Sequence, residues 1–161
     1  MRIKIKVGSL IINDKGEILL IKEKFKQNRF PLWNIITGTY GDSGNETIPE
    51  VAIRECQEEV SLKVKLIGAV GCHIIRENKK NIRIQFTFLA KNINGAPRLA
   101  DKEKQAELNE NIHGFKWFGK KEILQMNPDE FVAPRIYIIL VDWVKKGKYY
   151  PLGIFKDITI N

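Results

Sequence analysis

Glu46 to Val60 reads ETIPEVAIRECQEEV, and this stretch decides the fold. Thr47 with Glu50 three residues on makes a capping box, and Pro49 loses nothing by lacking an N–H in a first turn, so a helix starts here. Over a helix from about residue 48 to 60, Glu55, Glu58 and Glu59 share one face, since positions three and four apart are neighbours. Ile48, Ala52, Cys56 and Val60 follow at four-residue spacing on another side, which suits packing against a sheet. Adjacent carboxylates on a helix repel by about 0.2–0.5 kcal/mol per pair, so something compensates. The concentration of acid is conspicuous in a chain with 27 Lys and Arg against 19 Asp and Glu, a net charge of +8. A solvated acidic face with Arg54 pairing to Glu58 is one explanation. A divalent cation is the other, because clustered carboxylate oxygens on a stiff helix are what a hard ion such as Mg²⁺ requires.

Working outward, strands and helices alternate. RIKIKVGSLIIND, then the turn DKG, then EILLIK predicts two antiparallel strands forming an opening hairpin. EKFKQNRFP reads as a basic loop, LWNIIT as one short strand, and GTYGDSGN as an irregular loop leading into the helix. KVKLIGAVGCHII and NIRIQFTFLAKN pair around RENKKN, FKWF is a further strand, and KKEILQM a short helix. RIYIILVDWVKKG is a helix with an apolar stripe at Ile136, Ile139, Leu140 and Trp143, closed by lysines and Gly147. The result is one layered α/β domain over residues 1–161, with the tail 148–161 offering an extra strand.

Composition bounds the function. At 161 residues, 43% hydrophobic and 29% charged, the chain has the makeup of a soluble globular domain. No run approaches the roughly 18 apolar residues of a membrane span, and Val7 to Ile12 is too short for a signal, so a cytoplasmic protein is expected. Cys56 and Cys72 are too few for a disulfide framework or a zinc pattern and are expected to be small core residues. The positive surplus favours anionic partners. A basic helix and an RNA-binding aromatic signature are both missing, which argues against a plain nucleic-acid binder. His73 and His113 sit alone and are read as structural.

The run Arg54-Glu55-Cys56-Gln57-Glu58-Glu59, with Glu46 eight residues before the arginine, resembles the Nudix box, GX5EX7REUXEEXGU with U aliphatic. Glu46 fills the first glutamate, Arg54 and Glu55 the RE pair, Glu58 and Glu59 the EE pair, and Leu62 the last aliphatic position. Tyr40 stands where the family has its first glycine, which leaves Gly38 to take that role, Ser61 replaces the late glycine, and Cys56 occupies an aliphatic position. LWNIITG before the box and FKWFGKKEIL after it resemble the family's flanking strand and its later strand, tryptophan and short helix. The similarity spans roughly Val7 to Met126.

The resemblance implies an α/β/α sandwich with a mixed β-sheet. It also implies hydrolysis of a nucleoside diphosphate linked to another moiety, assisted by Mg²⁺ or Mn²⁺. On it, Glu55, Glu58 and Glu59 hold metal, the Gly38 carbonyl assists, and Glu58 or Glu55 takes the proton from the attacking water. Arg54 orients the array through a salt bridge to Glu46, which is read as structural. A later glutamate before Trp117 adds a ligand or base, with Glu110 first and Glu107 second. Trp33, Phe30 and Tyr40 are candidates to stack on a base, against the alternative that they are core. The basic segments KEKFKQNR and RENKKNIR either gather a polyphosphate or are solvated surface.

WNIITGTYGDSGNET with REXXEEV is similar to the box region of dihydroneopterin and nucleoside triphosphate pyrophosphatases, where threonine replaces proline before the glycine, as at Thr37. A triphosphate pyrophosphohydrolase therefore leads. A dinucleoside polyphosphate or nucleotide-sugar hydrolase follows, and a catalytically silent nucleotide- or RNA-binding sensor stands apart. A homodimer is a family expectation that no sequence feature fixes.

Overall fold

A computed structural model describes residues 2–158 and 160. Its centre is β1 (Arg2–Ile12), which pairs in parallel with β6 (Asn81–Asn94) along its whole length, from Arg2 opposite Asn81 to Ile12 opposite Lys91. β5 (Lys63–Arg76) lies antiparallel on β6, as the sequence predicts. β2 (Ile18–Glu23) is flanked by β3 (Leu32–Asn34) and by β7 (Ile112–Phe118), both antiparallel. The sheet is mixed, with β3-β2-β1-β6-β5 as its main path.

Two local readings change. The opening hairpin meets only at Ile12 opposite Ile18, after which β1 and β2 diverge. Segment 32–39 crosses the opening, so LWNIIT is two strands: β3 pairs with β2, and β4 (Ile36–Thr39) pairs with β1 from Lys6–Thr39 to Ser9–Ile36. The strand breaks where its hydrogen-bonding partner changes. A short helix unread in the sequence, α2 (Lys102–Glu107), is capped by the Asp101 carboxylate, which accepts from the Lys104 N–H.

The acidic helix α1 (Ile48–Val60) forms as expected, with Thr47 and Glu50 bonded reciprocally at its start. It covers one sheet face, where Val51, Ala52, Cys56 and Val60 pack on Val7, Ile11, Leu19, Ile21, Ile36 and Phe88. The other face is closed by α3 (Lys120–Gln125) and α4 (Pro134–Lys146). There Ile136, Leu140 and Trp143 meet Leu10, Ile18, Leu20, Ile35 and Leu89. Successive residues of β2 thus feed opposite cores, which is why EILLIK is a continuous apolar run. Both faces are covered, and the architecture is an α/β/α sandwich.

Cys56 is buried, but Cys72 is exposed, contrary to the core reading. Burial along β5 fades beyond Ala69, where the β5–β6 ribbon outruns the helices. In the tail expected to add a strand, Tyr150 makes one antiparallel bridge with Ala69, and Leu152–Ile154 form a 3-10 turn. Phe155 then packs on Phe86 and Phe88, while Thr159 and Asn161 lie outside the described residues.

Candidate active site

Arg54 organises the acidic face. Its Nε donates to both Glu46 oxygens at 2.8 and 3.0 Å, and its Nη1 reaches Glu58 and Glu55, each at 2.7 Å. One guanidinium fork therefore ties three carboxylates from a loop and two helical positions, a geometry lysine cannot reproduce. The expected Arg54–Glu46 bridge is present, and so is the Arg54–Glu58 pair. The solvated-face explanation nevertheless fails, because Glu55 is 7% and Glu59 3% exposed. These two glutamates turn toward the sheet rather than toward water.

Glu110 joins them from the loop between α2 and β7. Carboxylate oxygens of Glu55, Glu59 and Glu110 all lie within 4.8 Å of one another. The loop is held by Gln105, whose side chain donates to the Ala100 carbonyl and accepts the Ile112 N–H, while its own carbonyl accepts the Glu110 N–H at 2.8 Å. Glu107, the second candidate, reaches the cleft rim but pairs with Lys104 in solvent.

The cluster is electrostatically frustrated. Burial pushes Glu59 well above the ordinary carboxylate range, reinforced by the charges of Glu23, Glu55 and Glu110. Burial, then Glu55, Glu58 and Glu23, raises Glu110 to about 7. Burial raises Glu55 as well, opposed by Arg54. One oxygen of Glu59 and one of Glu110 are buried with no hydrogen-bond partner. Buried, mutually repelling carboxylates are relieved by protons or by a cation, and an all-oxygen donor set matches a hard divalent ion. The residues present fit such an ion.

Gly38 lies on β4 against this cluster. A Cβ there would overlap the Glu55 side chain, and the backbone carries no positive φ, so the glycine is required by close approach alone. The glycine two residues before the box position thus abuts Glu55 of the acidic helix, while Tyr40 lies beside the start of that helix, at Thr47, Ile48 and Pro49. Ser61, which stands where the resemblance expects the late glycine, adopts φ 56° and ψ 30°, a left-handed helix cap that glycine takes at no steric cost.

The cleft of about 480 Å³ also takes in residues the sequence reading passed over, chiefly Glu23, Lys6 and Phe25. Glu23 is buried and accepts from Asn34 Nδ2 at 2.7 Å, and burial raises its pKa. The signal was available: Glu23 continues the inward alternation of Leu19 and Ile21, where a carboxylate is out of place. Lys6 donates to Thr39 Oγ1 at 3.0 Å, and burial lowers its pKa.

The aromatic candidates are placed elsewhere. Trp33 packs edge-on against Phe118 at 4.8 Å beside the core under α4, because β3 turns it to that face. Tyr40 lines a separate small cavity with Thr47, Pro49 and Phe155. Phe30 is exposed, with the Arg29 guanidinium 5.3 Å from its ring centre.

A mixed sheet lies between helices, the glutamate helix α1 abuts β4 at Gly38, and the carboxylate cluster beside it is compatible with a divalent ion. The NUDIX domain model matches residues 2–139, and the chain belongs to the NUDIX family of hydrolases, which act on pyrophosphate bonds. Solved structures agree on the fold. A NUDIX hydrolase from Nitrosomonas europaea superposes with a TM-score of 0.77 at 21% identity, covering 98% of each chain. The MutT protein of Methanosarcina mazei Go1 gives 0.66 at 21%, over 90% of this chain and 94% of that one. The NUDIX domain of Shewanella oneidensis NrtR, complexed with ADP ribose, gives 0.67 at 12%, over 91% and 89%. Among the described residues, no helix is long and apolar enough to cross a membrane.

Proposed function

We propose that this chain hydrolyses a phosphoanhydride bond in a nucleotide-like substrate, with a (deoxy)nucleoside or pterin triphosphate as the leading class and monophosphate and pyrophosphate as products. The observation that carries the reading is the Glu55, Glu59 and Glu110 cluster with its two unpartnered buried oxygens. Glu55, Glu59 and Glu110, with the Gly38 carbonyl, would hold Mg²⁺ or Mn²⁺. Such an ion neutralises charge developing on phosphoryl oxygens and acidifies water.

The chain's own groups have separable tasks. Glu58 lies in the cleft but outside the three-carboxylate cluster, which leaves it to take the proton from the attacking water. That water supplies the new P–O bond as the α–β anhydride P–O bond breaks, and the departing group, pyrophosphate or the nucleoside monophosphate, keeps the bonding pair. Arg54 fixes Glu55 and Glu58 in orientation, and Glu46 anchors Arg54 from behind. Lys6, beside the carboxylates, meets phosphate oxygens. Two unpaired cysteines suit a reducing, cytoplasmic compartment.

A nucleoside diphosphate sugar is the second reading, supported by the ADP ribose that the Shewanella neighbour binds. Product analysis over nucleoside triphosphates, dihydroneopterin triphosphate, dinucleoside polyphosphates and ADP-ribose tests both. It should be run with Mg²⁺, Mn²⁺ or chelator, for wild type and Glu58→Gln. Metal-dependent release of monophosphate and pyrophosphate, lost in the folded variant, is expected. Turnover that survives chelator or Glu58→Gln refutes the assignment.

A further inference from the structure

The chain after Gly147 lies beyond the residues the family model matches, and the proposed chemistry makes no use of it. It is nevertheless seated at two points. At the first, Tyr150 and Ala69 of β5 exchange both backbone hydrogen bonds, each 2.8 Å, between two shifts in the β5 register. A Cβ on Gly68 would stand 2.5 Å from the Tyr149 ring and 2.7 Å from the Tyr150 carbonyl oxygen, so the tail lies directly on a glycine that close approach keeps bare. At the second, Leu152 and Phe155 pack on the core beneath α1, with the Phe155 ring 5.6 Å from Phe86 and 5.1 Å from Phe88.

A tail that only covered the sheet would stop there. This one continues, and Phe155, Lys156 and Asp157 wall a cavity of about 180 Å³ whose opposite wall is Tyr40, Thr47, Ile48 and Pro49. Tyr40 follows β4 and Thr47 caps α1, so the tail faces both ends of the loop that joins them. Within that loop residues 41–45 are exposed, and Gly41 and Gly44 both adopt φ 91°. Glycines of this kind leave a loop with much conformational freedom to lose. Yet the loop delivers Glu46 to Arg54, and Asp42 and Ser43 to the rim of the acidic cleft.

We infer that the C-terminal segment is a positioning strap for the active site. Seated on Gly68 and Ala69, it sets Phe155 against both ends of loop 40–47, which holds Glu46 on Arg54 and, through Arg54, orients Glu58. Fixing the ends of a loop offsets its closure entropy, and two glycines make that entropy large. Among the described residues, none of the strap lines the acidic cleft, so it acts on orientation and not by touching substrate. The role of Glu58 in turnover rests on the hydrolase reading; the clasp of Glu46 on Arg54 does not.

The Arg54 Nε–H, which donates to Glu46 at 2.8 and 3.0 Å, gives a side-chain ¹⁵N resonance that reports the clasp without substrate or metal. It is assigned by its loss in Arg54→Lys. Phe155→Ala removes the wedge and Gly68→Ala lifts the tail from the β5 side, so the two variants attack the strap independently and one folded protein suffices. Each is compared with wild type well below its melting temperature. In each, the Arg54 signal should move toward that of a free guanidinium and exchange faster with water. Turnover should show kcat reduced by about tenfold or more, short of the hundredfold expected for a 1 Å misplacement, with KM changed less than kcat. Phe155→Leu, which keeps an apolar wedge, should restore both. An Arg54 signal unmoved in the variants, whatever their Tm, overturns the inference, and so does a moved signal with wild-type kcat. A moved signal in a protein whose wild type hydrolyses no phosphoanhydride would uphold the strap and refute the hydrolase reading instead.

Discussion

Replacing Gly38 by alanine tests the closest approach in the site. The added methyl would occupy the space of the Glu55 carboxylate and its neighbouring carbons, while φ is already compatible with alanine, so the effect is steric. Glu55 cannot simply swing away, since it is buried and tied to Arg54 at 2.7 Å. Overpacking of this kind costs about 1–3 kcal/mol. At about 2–4 °C per kcal/mol for a chain of this size, the melting temperature should fall by about 2–12 °C. Displacing Glu55 by about 1 Å should also lower metal-dependent kcat/KM by about a hundredfold. Scanning calorimetry with and without Mg²⁺, paired with pyrophosphate release, reads both effects. Gly114→Ala is the control, because its Cβ meets open space without a positive φ, and it should change neither. A Gly38→Ala protein with wild-type melting and turnover would refute the packing of β4 against α1 at this point.

Ser61→Gly should stabilise the protein by about 0.5–1 kcal/mol, since a left-handed residue with a Cβ costs about 1 kcal/mol or more; an unchanged or lower urea midpoint contradicts this. Glu46→Gln should cost about 1 kcal/mol and lower turnover less than Glu58→Gln, because Glu46 touches only Arg54 among the charged groups of the box; equal losses would place Glu46 in the chemistry. The raised pKa values of Glu59 and Glu110 also predict pH-dependent stability. Without metal, the unfolded chain releases these protons near pH 4.5 while the native state holds the Glu110 proton to about 7, so stability falls as pH rises through that window. On the proposed function Mg²⁺ replaces the protons, so its effect on Tm should be larger at pH 8 than at pH 5; a Tm rise of equal size at both values would disprove the linkage.

What the sequence determined lies within single helices and their caps. Thr47, Glu50 and Pro49 start α1, and the spacing of Arg54, Glu55, Glu58 and Glu59 sets a shared acidic face; the Arg54–Glu46 bridge followed from the family resemblance and not from that spacing. The stripe through Ile136, Ile139, Leu140 and Trp143 and the left-handed Gly147 mark α4 in the same way. These features need only the periodicity of one helix and the chemistry of its ends. The tertiary structure alone decided what meets that face. Parallel pairing of β1 with β6 and the divergence of β1 from β2 bring Gly38 onto Glu55, turn Trp33 toward the other core, and line one cleft with Asn34 and Gln85. The loop that Gln105 clamps carries Glu110 across more than fifty residues of sequence to Glu55 and Glu59. Such meetings depend on strand register and loop closure, which join distant residues and leave no local period to read.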